Sequence, residues 1–420
     1  MTGAKNKMGA ATDNTRTATF LVYDGMWRSG GIQSIIIRII HNIKSHGESV
    51  WVVCNWDLPV LGVPEAHILY DKALIGQDWS SSKKFSEFNT FQIIAFGPSA
   101  TPTAYLLENY IKLGRRSADV FMSINVLHPH EFMMKDEKIH VHFMNRLLAL
   151  AVGPSKLVFM NEQCRITHSA FLGRDLSSNR IVPVPIDERQ PRWMVRSSDE
   201  PIRIICVGRI VNFKAYNFAL PGILAKLVDE GRSVTCDIFG YGSEEGKLAN
   251  LVKQCDVSDL MRFHGPIPLE KFDDLVSGYD LFIGMGTAAL QAAQLGVPTI
   301  LAIVDDEHGA HGFINSAPFG NLGEKDPYAP RLDLKQTIEV YLNASPRERE
   351  TISLAGISYA NRYVSDNYVE YVTKSSLLRD GISRHLAALY CRFYIWMARD
   401  NWLRKAVWLF KAQSKSGKPL

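Results

Sequence analysis

The sequence predicts an α/β protein of two doubly wound domains. Three observations carry this. Short apolar runs alternate with amphipathic stretches twice along the 420 residues. The runs lack polar alternation, as strands buried on both faces of a parallel sheet do. A segment rich in charge, Pro and Ser, DERQPRWMVRSSDEP, separates the two blocks.

The elements follow in order. Residues 1–17 are polar, lack the apolar stretch of a secretory signal and read as a disordered leader. The first domain spans 18–186. Its strand candidates are ATFLVYD (18–24), SVWVVCN (49–55), FQIIAF (91–96), DVFMSIN (119–125), KLVFMN (156–161) and RIVPVP (180–185). After the first of them Ile32, Ile35, Ile36, Ile39, Ile40 and Ile43 recur at helical spacing, with Arg38, Asn42 and Lys44 among the polar positions between. Tyr105 to Leu113 and Lys138 to Leu150 repeat the pattern. A linker covers 187–200. The second domain, 201–365, restarts the alternation with PIRIICVG, SVTCDIFG, MRFHG, DLFIGMG and PTILAI as strands. Helices fall between them, and others close the block from about Leu334 to Leu378, the last at 366–380. Residues 381–420 form a basic amphipathic tail.

Composition bounds the function. Apolar residues are 46% and charged residues 21%, with a formal net charge of +4, too mild to imply a nucleic-acid partner. The six cysteines include no CxxC pair and read as reduced core residues of a cytoplasmic protein. No window of 18 or more uncharged apolar residues occurs, so no spanning helix is expected. The tail is different: 381–420 holds eight Lys or Arg against one acid, interleaved with Trp, Phe, Tyr and Leu. That pattern fits an interfacial helix on an anionic membrane at the inner face of the cell membrane. It fits equally a helix packed on the first domain with a basic outer side.

Chemistry concentrates at strand ends, where doubly wound sheets bind ligands. In CVGRIVNFKAYNF a strand ends at Gly208, and Arg209 and Lys214 follow on the loop before a helix. Two such cations clamp a diphosphate, Arg by its planar fork and Lys as a point charge. The next strand ends in GYGSEE, where Gly240 and Gly242 let backbone approach a ligand. The third ends in HGPIP, a rigid loop with Pro266 and Ile267. The fourth opens GMGTAALQAAQLGVPTI, a helix of small residues with Gly286 and Thr287 at its start and Gln291 near its middle. In the first domain, SINVLHPHEF places His128 and His130 at a strand end, where a His can hydrogen-bond a ligand or guide a proton. The H-x-H spacing lacks further ligands nearby, so no metal is expected.

These motifs resemble the donor half of GT-B glycosyltransferases, closest to family four. The resemblance runs through VGRI with its Lys five residues after the Arg, FGYGSEE, RFHGPIP, YDLFIG and LGVPTI, in matching order over about 100 residues. SGGIQSIIIRIIHNIKSHGESVWVVC resembles the family's first glycine loop. KLVFMNEQCR resembles the strand before the domain crossing, with Asn161 where Ser is usual, and IVPVPID resembles the linker, with Pro185 where Gly is usual. Together these cover about residues 20–375. The resemblance implies two Rossmann-like domains facing each other across a cleft, a nucleotide-diphosphate sugar as donor substrate, and no cofactor. It implies that Arg209, Lys214, Gly30 and Gly31 hold the diphosphate, and that Gly240, Gly242, Pro266, Ile267, Gly286, Thr287 and Gln291 meet the nucleotide. His130 and His128 are the catalytic-loop candidates. The acceptor it implies is a saccharide or lipid-linked saccharide in cell-surface polysaccharide synthesis.

One departure stands out. The family carries two glutamates seven residues apart before its GVP strand. Here the segment is shorter, Gln291 occupies the second position and the first has no equivalent. A neutral amide accepts a weaker hydrogen bond than a carboxylate. The alternative is therefore a catalytically degenerate subunit that binds a partner glycosyltransferase or a saccharide without turnover.

Overall fold

A computed structural model describes residues 16–23, 31–54, 68–70, 85–133, 138–195, 200–365, 367–373 and 381–397. Gly30, most of the leader and the tail beyond 397 lie outside them.

The first domain holds a six-stranded, all-parallel sheet in the order β3-β2-β1-β4-β5-β6. Its strands are β1 (Thr17–Val22), β2 (Ser49–Cys54), β3 (Ile68–Tyr70), β4 (Thr90–Phe96), β5 (Asp119–Val126) and β6 (Leu157–Phe159). This is the doubly wound order, with its switch point between β1 and β4. Its helices are α1 (Gly31–Ser45), α2 (Thr101–Gly114), α3 (Ile139–Val152) and α4 (Glu162–Leu172). The isoleucine stripe of α1 faces the sheet and is buried, as its spacing predicts. Arg38, one of the polar positions between the isoleucines, is buried too, because the linker and the second domain cover it. Strand 180–185 does not form: only Ile181 makes a bridge, to Phe159. Pro183 and Pro185 cannot donate to a ladder.

The second domain holds seven strands in the order β13-β12-β11-β10-β7-β8-β9. They are β7 (Ile202–Val207), β8 (Val234–Phe239), β9 (Met261–His264), β10 (Leu281–Gly284), β11 (Thr299–Ala302), β12 (Gly309–Phe313) and β13 (Leu332–Asp333). All pairs are parallel except β11–β12 and β12–β13. Helices α5 (Tyr216–Asp229), α6 (Glu245–Gln254), α7 (Phe272–Val276), α8 (Thr287–Gln294), α9 (Leu334–Asn343) and α10 (Pro346–Asn361) surround it. The antiparallel β12 and β13 were not legible as strands, since GAHGF and LD carry no apolar run. Here the switch point lies between β7 and β10, so a ligand is expected against the loops that follow those two strands.

The domains are tied together twice. The linker packs on the second domain, where the Arg192 and Trp193 amides both donate to the Leu295 carbonyl (2.9 and 3.0 Å). After α10 the chain returns to the first domain. Ile186 bridges Val364, and α11 (Tyr368–Thr373) lies against β5, with Asn125 Nδ2 donating to the Tyr368 hydroxyl (3.0 Å). A last helix, α12 (384–397), packs along α3. Tyr390 donates to the Met144 carbonyl (2.9 Å) and Tyr394 to Asn145 Oδ1 (2.6 Å). Its inner face is thus a first-domain contact. Its outer face carries Leu386, Leu389, Phe393 and Trp396 as well as Arg384 and Arg392, all exposed. Among the described residues no helix is long and apolar enough to cross a membrane. Five cysteines are buried and Cys255 is partly so; none forms a disulfide among the described residues.

Candidate functional site between the two sheets

A cleft of about 340 Å³ opens between the carboxyl ends of the two sheets. The second domain contributes the loops after β7, β8, β9 and β10 and the loop between β12 and β13.

The loop after β7 carries the cations. The Lys214 ammonium folds back over Gly208, where an added Cβ would stand 2.2 Å from Nζ. Gly208 also has φ +151°, a conformation open to glycine. Burial and the neighbouring Arg209 charge lower the Lys214 pKa to about 8. Arg209 is exposed and rests over the Phe213 ring (5.6 Å). Among the described residues neither cation is paired with an acid. An unpaired, partly desolvated lysine beside an arginine is a site waiting for an anion.

The loop after β8 fits against this one. A Cβ on Gly240 would meet the Gly208 carbonyl oxygen at 2.0 Å, and one on Gly242 would meet that of Ile210 at 1.9 Å. Gly240 lines the cleft, whereas Gly242 stands outside its lining. Gly242 therefore serves the packing of loop against loop. Pro266 and Ile267 line the rim after β9. Beside them Phe239 and His264 stack at 4.3 Å with 10° between rings, and His264 Nε2 lies 2.6 Å from Asp237 Oδ1. A second hollow of about 660 Å³ shares Phe239, Pro266 and Ile267 with the cleft.

After β10, Met285, Gly286, Thr287 and Ala288 lie along the cleft with Gln291. Gln291 is buried, and its surroundings are unexpected. With the amide oriented by its partners, Oε1 accepts from Arg38 Nη2 and from both terminal nitrogens of Arg189 (3.0 and 3.1 Å). Arg38 also pairs with Asp187 (3.1 Å) and Arg189 with Asp273 (2.7 Å). Two guanidiniums and two carboxylates already balance, so a neutral amide completes the cluster. The oxygen assigned by resemblance to a ribose is thus occupied by two arginines, one from the first domain and one from the linker.

The first domain contributes Gly31, Ile32, Ser34 and Ile35 from the start of α1, and Leu127 and His128 after β5. The His130 amide donates to His128 Nδ1 (3.0 Å), so neutral His128 carries its proton on Nε2. His128 lines the cleft and His130 does not; the His130 backbone amide holds the His128 ring. Glu131 holds the same loop, accepting from the Leu127 amide (2.6 Å), and burial raises its pKa to about 7. Asn161 explains its own departure from Ser. Its Oδ1 caps α4 by accepting from the Cys164 amide (2.8 Å), a bond worth about 1 kcal/mol. Its Nδ2 crosses the domain boundary to the Gly320 carbonyl (3.0 Å).

One cleft residue escaped the sequence reading. Glu324 lines the cleft beside Leu322, on the loop between β12 and β13. Only the run GNLGEKD hinted at it, a tight turn that ends in an acid.

No protein-family model matches the chain. A curated relative, the UDP-N-acetylglucosamine–peptide N-acetylglucosaminyltransferase GtfA subunit of Streptococcus gordonii, is 24% identical over 175 residues. That match takes in 40% of this chain and only a third of the relative's length. Among solved structures, WaaG, a glycosyltransferase involved in lipopolysaccharide biosynthesis, superposes with a TM-score of 0.55 at 14% identity. The match covers 84% of this chain and 97% of that one. Pneumococcal O-GlcNAc transferase GtfA, solved with UDP and GlcNAc, gives 0.55 at 9% identity over 85% and 97%. The fold is the GT-B fold of glycosyltransferases. In GT-B terms, the cleft lies between the two facing sheets, and Arg209 and Lys214 stand on the second domain's side of it.

Proposed function

We propose that the protein is a GT-B glycosyltransferase. It moves a sugar from a nucleotide-diphosphate sugar to a saccharide or lipid-linked saccharide acceptor in cell-surface polysaccharide synthesis. The single observation that carries this is the Arg209–Lys214 pair, unpaired with any acid among the described residues and set at the switch point of the second sheet. There it meets the departing diphosphate. Fixed cations aimed at charge that develops on the leaving group are often the largest catalytic contribution, and they need no metal in that role. His128, with Nε2–H in the cleft, donates to the sugar or guides the acceptor proton. Gly31 lets the first domain approach the same phosphates, and Pro266 and Ile267 pack against the base. The involvement of WaaG in lipopolysaccharide biosynthesis supports the polysaccharide reading. The exposed apolar and basic face of α12 supports work at an anionic membrane surface from the cytoplasmic side, where a lipid-linked acceptor resides.

The engaged oxygen of Gln291 favours a second reading, a subunit that binds without turnover. Release of nucleoside diphosphate from a panel of UDP- and GDP-sugars separates the two. Release by the wild type that Lys214→Ala abolishes supports the enzyme. Full release by Lys214→Ala sinks the assignment, and nucleotide binding without release from any donor favours the subunit.

A further inference from the structure

Glu324 is the one acid among the described residues that line the cleft. The fold holds it there firmly. Its Oε2 accepts from the Leu322 amide (2.6 Å). Asn321 Oδ1 accepts from the Gly323 and Glu324 amides (2.8 and 3.1 Å), and Asn321 Nδ2 donates to the Glu324 carbonyl (3.1 Å). Gly323 has φ +112°, and a Cβ there would meet the Ala302 carbonyl oxygen at 2.6 Å and Met285 Cβ at 2.8 Å. The Leu322 carbonyl accepts from the Gly286 amide (2.8 Å), and the Gly323 carbonyl from the Val304 amide (2.7 Å). The loop is therefore stapled to the turn that starts α8, and Glu324 lines the same cavity as the two cations.

The chemistry of this cavity is asymmetric. Arg209 and Lys214 suit a diphosphate. A carboxylate repels one but accepts strongly from hydroxyl groups, and charge-assisted bonds of that kind are about twice as strong as neutral ones. A second negative group brought beside it, with little water to screen the pair, is disfavoured. We infer that Glu324 hydrogen-bonds the hydroxyls of the transferred sugar and restricts the donor to neutral sugars, excluding those that carry a carboxylate. The inference rests on the glycosyl-transfer reading and adds the class of sugar to it. Burial raises the Glu324 pKa to about 7, so the discrimination strengthens as pH rises through neutrality and the carboxyl ionises.

Calorimetry on the full chain tests this, with UDP, GDP, UDP-glucose, UDP-N-acetylglucosamine, GDP-mannose and UDP-glucuronate as probes. In the wild type at pH 8, at least one neutral donor binds about tenfold tighter than its nucleoside diphosphate, about 1.4 kcal/mol. UDP-glucuronate binds no tighter than UDP. In Glu324→Gln, which still accepts from the Leu322 amide, the neutral-sugar gain falls at least fivefold, the penalty on glucuronate disappears and the affinity for UDP or GDP stays within twofold. A merely structural glutamate gives another pattern: nucleotide and donor weaken together, and glucuronate stays discriminated. That pattern overturns the inference, as does a wild type that gains nothing from any neutral sugar or accepts glucuronate as well. A wild type that binds neither UDP nor GDP overturns the parent reading, and this one falls with it.

Discussion

The Lys214 ammonium lies over the α-carbon of Gly208, six residues earlier on the same loop, in the space a side chain at 208 would fill. The only residue type without a Cβ thus makes room for the cation, and the strand end and the charge form one unit. Gly208→Ala displaces Nζ and forces a strained φ. Affinity for a nucleoside diphosphate falls about tenfold or more, read by calorimetry. The melting temperature falls as well, by the few degrees that about 1–3 kcal/mol of backbone strain implies.

Nucleotide binding depends on pH through Lys214. Its pKa of about 8 in the free protein means that the ammonium is charged below pH 8 and loses its proton above it. A diphosphate favours the charged form, so binding takes up a proton above pH 8 and weakens as pH rises. Kd for UDP or GDP measured from pH 6.5 to 9.5 turns upward near 8 in the wild type. Lys214→Arg, charged throughout, removes that inflection.

Gln291→Ala reads out the arginine cluster. It leaves Arg38 and Arg189 without the amide oxygen between them, a loss of about 1–3 kcal/mol for buried groups. Urea titration shows the destabilisation. Nucleotide affinity changes less than threefold, since the oxygen faces guanidiniums and not the cleft's ligand.

The outer face of α12 gives a binding test. Leu389 and Phe393 are exposed on it with Arg392 between them. Leu389→Asp with Phe393→Asp reduces co-sedimentation with phosphatidylglycerol vesicles at least fivefold. Nucleotide affinity is unchanged, because α12 packs on α3, away from the cleft. Equal binding of the variant and the wild type to these vesicles removes the membrane face.

Much of this architecture was legible in the sequence, for physical reasons. Strands buried on both faces are largely apolar runs, and ten of the thirteen strands among the described residues announce themselves that way. Arg209, Lys214 and His128 were legible because they follow parallel strands, and Gln291 because of its distance from the Gly296–Pro298 run; all four line the cleft. What stayed hidden depends on contacts distant in sequence. The burial of Arg38 depends on the linker and α8, which cover it from far along the chain. The packing constraint on Gly242 comes from Ile210, which only the fold presses against it. Glu324 lies beyond an antiparallel strand without an apolar run, so no periodicity led to it. The isolated prolines of 180–185 were a signal available in the sequence, and they rightly weigh against a strand there.

The central claim is that Arg209 and Lys214 form a diphosphate site. Calorimetric titration of the wild type and Lys214→Ala with UDP and GDP tests it most directly. The account predicts micromolar binding of one nucleotide to the wild type and a loss of at least tenfold in the variant, with both proteins melting as folded. Equal affinity in the two proteins, or no binding of either nucleotide to the wild type, would contradict it.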